Sequence, residues 1–155
     1  MFTFSQTSIL RLWGGLWAVL GVIAMAPACG SSSPASPSVP TVNVPFSQTD
    51  LVVGTGAEAT LGRSITVHYT LWLYDSARAE NKGTQVETTV GRTPATLTLA
   101  SGSLIQGWVQ GVPGMKVGGR RRLVVPPALG YGAVQNQSIP PNSTLVFDIE
   151  LVAVQ

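Results

Sequence analysis

Side chains able to do covalent or metal chemistry are scarce in these 155 residues: there is one thiol, Cys29, and one imidazole, His68. That inventory excludes a disulfide framework and most protein-built metal sites. A Ser/His/Asp relay would have to use His68, and no nucleophile is placed to work with it. What the chain does offer is rings. Beyond residue 28 there are seven aromatics, and four of them, Tyr69, Trp108, Tyr131 and Phe147, fall among apolar residues and glycine-rich turns. Rings in that setting can form a core, or they can line a pocket that binds by shape and dryness. For an arbitrary protein the core is the usual answer.

The charges add little. Nine basic side chains face seven acidic ones, and residues 1–28 hold only Arg11. Setting Arg11 aside leaves eight against seven, a net charge of +1. A near-neutral surface lacks the basic stripe that nucleic acid requires. Arg120-Arg121-Arg122 is too short a run to change that, and is expected to decorate a solvated turn and strand start.

Residues 1–28 read as a signal peptide: a positive start, an apolar run from Leu12, and small residues before Cys29. The competing reading is a permanent anchor, since the apolar run is ~17 residues, the lower limit for crossing a bilayer. Gly14, Gly15, Gly21 and Pro27 suit cleavage better. The segment ending at Cys29 resembles a bacterial lipobox, with Ala26 in the place of the usual Leu. Acylation of Cys29 and of the new N-terminus would supply the multiple chains that stable anchoring needs. A soluble secreted protein is the alternative. Residues 29–45 are rich in Ser and Pro and read as a tether reaching up to ~50 Å at ~3.1 Å per residue. The folded domain is expected over residues 46–155, enough for one modest core.

Within that domain Ile65, Val67, Tyr69, Leu71 and Leu73 alternate with polar residues and Trp72. This period of two predicts a half-buried strand with Tyr69 inward and His68 outward. Leu145, Phe147, Ile149, Leu151 and Ala153 predict a second, and Thr96–Leu99 and Arg121–Val125 two short ones. One helix is expected, capped by Ser103 with Gln106 completing a capping box. It would carry Leu104, Ile105, Trp108 and Val109 on one face and end at Gly111 and Pro113. The sum is an α+β fold, a mainly antiparallel sheet with one short helix packed on it.

Five stretches then fall in a recognisable order: Val67-His68-Tyr69-Thr70, Ile105-Gln106-Gly107-Trp108, Gly111 to Arg120, Pro126 to Gly132, and Ile139 to Leu151. Together they resemble the FKBP-type peptidyl-prolyl cis-trans isomerases over nearly all of residues 50–155. The resemblance implies an antiparallel half-barrel wrapped around the helix, with an apolar pocket between. It implies no cofactor, a monomer, and proline-containing polypeptides as clients. Carried over by position, Tyr69, Trp108, Tyr131 and Phe147 become pocket aromatics with Trp108 as floor. Leu97, Leu104 and Ile105 become aliphatic walls. The Ile139 N–H and the Tyr131 hydroxyl become donors to the substrate.

The resemblance departs at Val86-Glu87-Thr88-Thr89, where the family has Phe-Asp and two serines, and at Ala95, where it has Phe. The resemblance makes Glu87, with Tyr131 and Ile139, a catalytic residue that contacts the substrate backbone, its carboxylate set one methylene further out than the family's Asp. Val86, Glu87 and Ala95 together imply a wider pocket, weaker catalysis, altered preference before proline and poor affinity for rapamycin-type macrolides. A module that binds proline-containing segments without turning them over is the alternative, and a purely structural domain the third. Such a pocket needs no nucleophile. Amide resonance sets a barrier of ~20 kcal/mol to rotation about an X–Pro bond, and a dry site favours the twisted, less polar imide.

Overall fold

The computed structural model describes residues 43–155, so the expected signal peptide, Cys29 and most of the expected tether lie outside the described residues. Seven elements follow in order: β1 (Ser47–Val52), β2 (Ser64–Tyr74), β3 (Lys82–Thr88), β4 (Ala95–Thr98), α1 (Gln106–Gly111), β5 (Arg120–Val125) and β6 (Leu145–Val154). The six strands form one open antiparallel sheet in the order β1-β5-β6-β2-β3. β4 lies on the same side of β2 as β3, against its first half.

The two long strands β2 and β6 pair along their length and supply the centre of the core. Ile65, Val67 and Leu71 pack there with Leu145, Phe147, Ile149 and Leu151, all buried. The alternation in the sequence is therefore real, with one correction. Val67 pairs with Leu151 but Thr66 pairs with Ala153, so β6 carries one extra residue at that point. A bulge of this kind reverses the faces beyond it. Val154, not Ala153, consequently packs against the core. The edge strand β1 and the bulged β3 gave no alternating signal, because β1 is exposed along its whole length and β3 breaks register twice against β2.

The helix is shorter than its pattern predicts. It begins at Gln106 with Ile105 as its N-cap residue, and no side chain caps it; the Ser103 cap does not form. Ser103 instead donates its N–H to the Ala100 carbonyl at 3.3 Å, in a turn before the helix. Leu104 and Ile105 therefore precede the helix, yet both still pack against the core. Glycine in a helix interior costs about 1 kcal/mol relative to alanine, and this helix holds two for a steric reason. A Cβ on Gly107 would lie 2.5 Å from a Val125 methyl, and one on Gly111 equally close to a Leu123 methyl. Glycine lets the helix backbone settle onto β5.

The arginine run is not solvated decoration. Arg121 is 7% exposed. Its Nε and Nη2 donate to the two Asp50 carboxylate oxygens on β1 at 2.5 and 3.1 Å, and its Nη1 to the carbonyls of Gly111 and Pro113 at 2.8 and 3.1 Å. One guanidinium thus joins β1, β5 and the end of α1, where helix carbonyls have no partner within the helix. Arg122 points to the other face and forks onto Asp148, which also accepts from Lys82 at 2.7 Å. Glu80 closes this cluster through both cations. Burial alone would raise the Asp148 carboxyl, but the hydrogen bonds from Arg122 and Lys82 outweigh it and hold it below its ordinary value. Lys82 also sits 4.4 Å over the Trp72 ring. Only Arg120 of the three is exposed.

Arg121→Met keeps the apolar stem but leaves the buried Gly111 carbonyl without its donor. It is expected to lower unfolding free energy by about 2–3 kcal/mol, since Asp50 can still be hydrated. A shift in the urea midpoint at unchanged slope measures this; a loss below about 0.5 kcal/mol would show that the clamp is unimportant.

Candidate functional site

Between α1 and the inner face of the sheet lies a cavity of about 530 Å³, a size typical of small-ligand sites. Its floor is built by three rings. Trp108 meets Tyr69 edge-to-face at 5.4 Å between centroids and Phe147 likewise at 5.5 Å, while Tyr69 and Phe147 stand 6.5 Å apart. Edge-to-face pairs add about 0.5–1.5 kcal/mol each beyond area burial. Trp108 and Phe147 are only 4% and 3% exposed, yet both line the cavity. These rings serve core and cavity together, so the two readings of the aromatics are not exclusive.

Each ring is positioned by a different element. Tyr69 comes from β2, with its N–H donating to the Thr89 hydroxyl and its carbonyl accepting from the Thr89 N–H, both at 2.9 Å. Trp108 comes from the first turn of α1, and Phe147 from β6, opposite Leu71 on β2 and Leu123 on β5. Tyr131 follows a single 3-10 turn, Pro127–Leu129, that begins where Pro126-Pro127 ends β5. Gly132 next to it donates to the Pro127 carbonyl at 2.9 Å and accepts from the Asn142 N–H at 2.8 Å. Its φ of +64° suits glycine.

Leu97, Leu104 and Ile105 line the walls as expected, and Glu87 stands at the rim, exposed. Glu87 reaches this face because it pairs with Leu71, while the next pair down is Gln85 with Trp72. The register break at Val86 turns that side chain elsewhere. Val86 packs against the core and is not among the lining residues, and Ala95 behaves in the same way. Ile139 also departs from expectation: it is buried, and its N–H donates to the Asn136 carbonyl at 2.8 Å within its own loop. Leu71, Gly102, Ser103, Gln106 and Gly130 also line the cavity. Leu71 is legible from its shared face with Tyr69; Ser103 and Gln106 carry only a helix-start signal, and Gly102 and Gly130 lie in turns that carry no periodic signal.

The cavity is lined by three hydroxyls, those of Tyr69, Tyr131 and Ser103, and by one carboxylate, that of Glu87. Burial first, then the neighbouring Glu87 carboxylate and the Tyr131 ring, push the Tyr69 hydroxyl up to about 12. Burial and Glu87 also raise Tyr131. Both phenols are neutral donors at physiological pH. Further donors come from α1. The first intrahelical acceptor, the Ile105 carbonyl, serves Trp108 and Val109. The N–H groups of Ile105 and Gln106, at the cavity edge, have no acceptor in the helix.

Known proteins share this fold. The structure resembles that of FkpA from Escherichia coli, with a TM-score of 0.61 and 34% identity over 71% of this chain and 48% of that one. The chain thus spans about half of that protein. AtFKBP13 gives a TM-score of 0.59 and 36% identity, covering 71% of this chain and 93% of its own. In sequence, an FK506-binding protein of Neisseria meningitidis serogroup B is 47% identical over 107 residues, 68% of this chain and 92% of the relative. The Arabidopsis thaliana peptidyl-prolyl cis-trans isomerase FKBP15-3 is 41% identical over 100 residues, 64% of this chain and 66% of the relative. An open antiparallel sheet around one short helix is the FKBP fold. Residues 56–152 match the FKBP-type peptidyl-prolyl cis-trans isomerase family, and the chain belongs to that family of isomerases.

The raised tyrosine gives a test of the site's electrostatics. A phenol whose folded pKa exceeds its unfolded value stabilises the fold below about pH 10, and that contribution is lost as pH rises through about 12. Phenolate absorbance should show Tyr69 and Tyr131 both titrating above the ordinary tyrosine value, with a step near 12 that Tyr69→Phe removes and Glu87→Gln moves down. A Tyr69 step near 10 in the folded protein would contradict this geometry.

Proposed function

We propose that the cavity receives the prolyl ring of X–Pro segments in exported polypeptides and speeds their cis-trans exchange by stabilising the half-rotated imide. The observation that carries this reading is the edge-to-face triad of Tyr69, Trp108 and Phe147 flooring a cavity with neutral donors at its edge. The prolyl ring is a compact apolar body, and the Trp108 indole is the flat surface for it.

Rotation breaks amide resonance, so the twisted state loses the charge-separated form and much of its dipole. A site lined by rings and by Leu97, Leu104 and Ile105 solvates that state better, relative to the planar one, than water does. This is differential binding of the transition state. Orientation adds to it. The prolyl side is held in the cavity, while the Tyr131 hydroxyl and the free N–H groups at the start of α1 hold a carbonyl on the turning side. Because the Ile139 N–H is engaged with Asn136, Ile139 contributes apolar packing behind the site and the donor role passes to these groups. No proton leaves and no covalent intermediate forms.

The family's usual aromatic residues at positions 86 and 95 are Val and Ala here, and neither side chain reaches the cavity. One wall is therefore aliphatic, which favours modest turnover and weak macrolide binding. A protease-coupled or exchange-NMR assay on the full-length chain in detergent tests the proposal. Catalysis should be detectable, and Tyr131→Phe should lower kcat/KM roughly 3- to 10-fold, the worth of one hydrogen bond. Its unfolding midpoint should stay unchanged. Peptide binding without acceleration of exchange would replace the isomerase by a binding module.

The same reading places the domain outside the cytoplasm, held to a membrane by lipid on Cys29 and spaced from it by the Ser/Pro-rich tether. Cys29 lies outside the described residues, and this part rests on the sequence alone. Wild type should take up radiolabelled palmitate and sediment with membranes, whereas Cys29→Ser should do neither; equal labelling of the two would remove the anchor from the proposal.

A further inference from the structure

We propose that Glu87 makes the site selective for proline segments carrying a lysine or arginine directly beside the proline. This rests on the isomerase reading above and adds to it the chemical class of the favoured substrate. Of the residues lining the cavity, Glu87 alone is charged. Among the described residues, Asp50, Asp75, Glu80 and Asp148 each lie within 4.0 Å of a lysine or arginine, whereas Glu58, Glu87 and Glu150 are in no such pair, and of these three Glu87 alone lines the cavity. Its carboxylate therefore faces the cavity mouth without a cation of its own.

The position is also defined. Glu87 is fixed on β3 by its pairing with Leu71, next to the Thr70 and Thr88 hydroxyls that bond to each other at 2.8 Å. It stands beside the Tyr69 hydroxyl, and Tyr69 packs on Trp108 at 5.4 Å. The carboxylate thus lines the same cavity that Tyr69 and Trp108 floor. Consecutive Cα atoms are about 3.8 Å apart, and a lysine stem is several carbons long, so an ammonium on a flanking residue reaches this rim. Apolar walls on the inner side reduce screening, whereas exposure of the carboxylate keeps the effect in the range of a surface pair.

The test compares lysine with acetyl-lysine, which keeps the chain but removes the charge, placed before or after proline in otherwise identical tetrapeptides. On the full-length chain in detergent at low salt, the charged form should have a kcat/KM about 3- to 6-fold higher at one of the two positions. Salt at 1 M should erase most of that ratio, because the Debye length falls to about 3 Å. Glu87→Gln retains an acceptor for the Tyr69 hydroxyl and should bring the ratio to about one, whatever it does to overall rate. Glu87→Lys should reverse the sense, favouring glutamate over glutamine beside proline. A purely structural Glu87 could not produce that reversal. Turnover of both peptides without discrimination, or discrimination that survives in Glu87→Gln, overturns the inference alone. No turnover of any peptide overturns the isomerase reading and this inference with it.

Discussion

The fold depends on the closeness with which a helix of less than two turns approaches the sheet. Gly107 and Gly111 leave no Cβ between the α1 backbone and the side chains of Val125 and Leu123. That approach lowers Trp108 into edge-to-face contact with Tyr69 and Phe147. A helix held further away would part the rings and open the core to water. Isolated helices this short are unstable, so α1 exists only because tertiary contacts hold it. Arg121 completes the hold at the far end by satisfying carbonyls that the helix leaves open, and its charge is balanced by Asp50 on β1.

The two faces of the sheet are managed by different forces. The inner face is largely apolar and continuous with the cavity; Glu87 stands at the cavity rim, and the buried Arg121 at the end of α1 is paired with Asp50. The outer face carries a four-charge cluster of Lys82, Arg122, Asp148 and Glu80 that ties β3, β5 and β6 together across β2. Glu80 belongs to the long connection after β2, where Glu80 and Asn81 both have positive φ. Its ion pairs dock that connection on the back of the sheet, away from the cavity. This connection therefore enlarges the outer face and leaves the cavity mouth clear.

Much of the site was legible in order but not in detail. Period-two alternation identified β2 and β6 and the inward side of Tyr69, Leu71 and Phe147, because burial of one sheet face imposes that period. The motif order located Trp108, Tyr131, Leu97, Leu104 and Ile105 at the cavity. Val86 and Glu87 were adjacent and looked equivalent, yet a register break sends one into the core and brings the other to the rim. The Ile139 N–H looked available, yet a tight loop uses it locally. Each of these outcomes is decided by a backbone hydrogen bond whose partner has no signature in the neighbouring residues.

By itself, then, the sequence determined the family, the strands with one buried face and the rings of the site. Those features are written in residue type and spacing, which act over a few positions. The tertiary structure alone decided where α1 starts, that Arg121 and Arg122 are clamps, and which of two neighbouring side chains meets the cavity. Those depend on pairing between residues far apart in the chain, where a shift of one position turns a side chain to the opposite face.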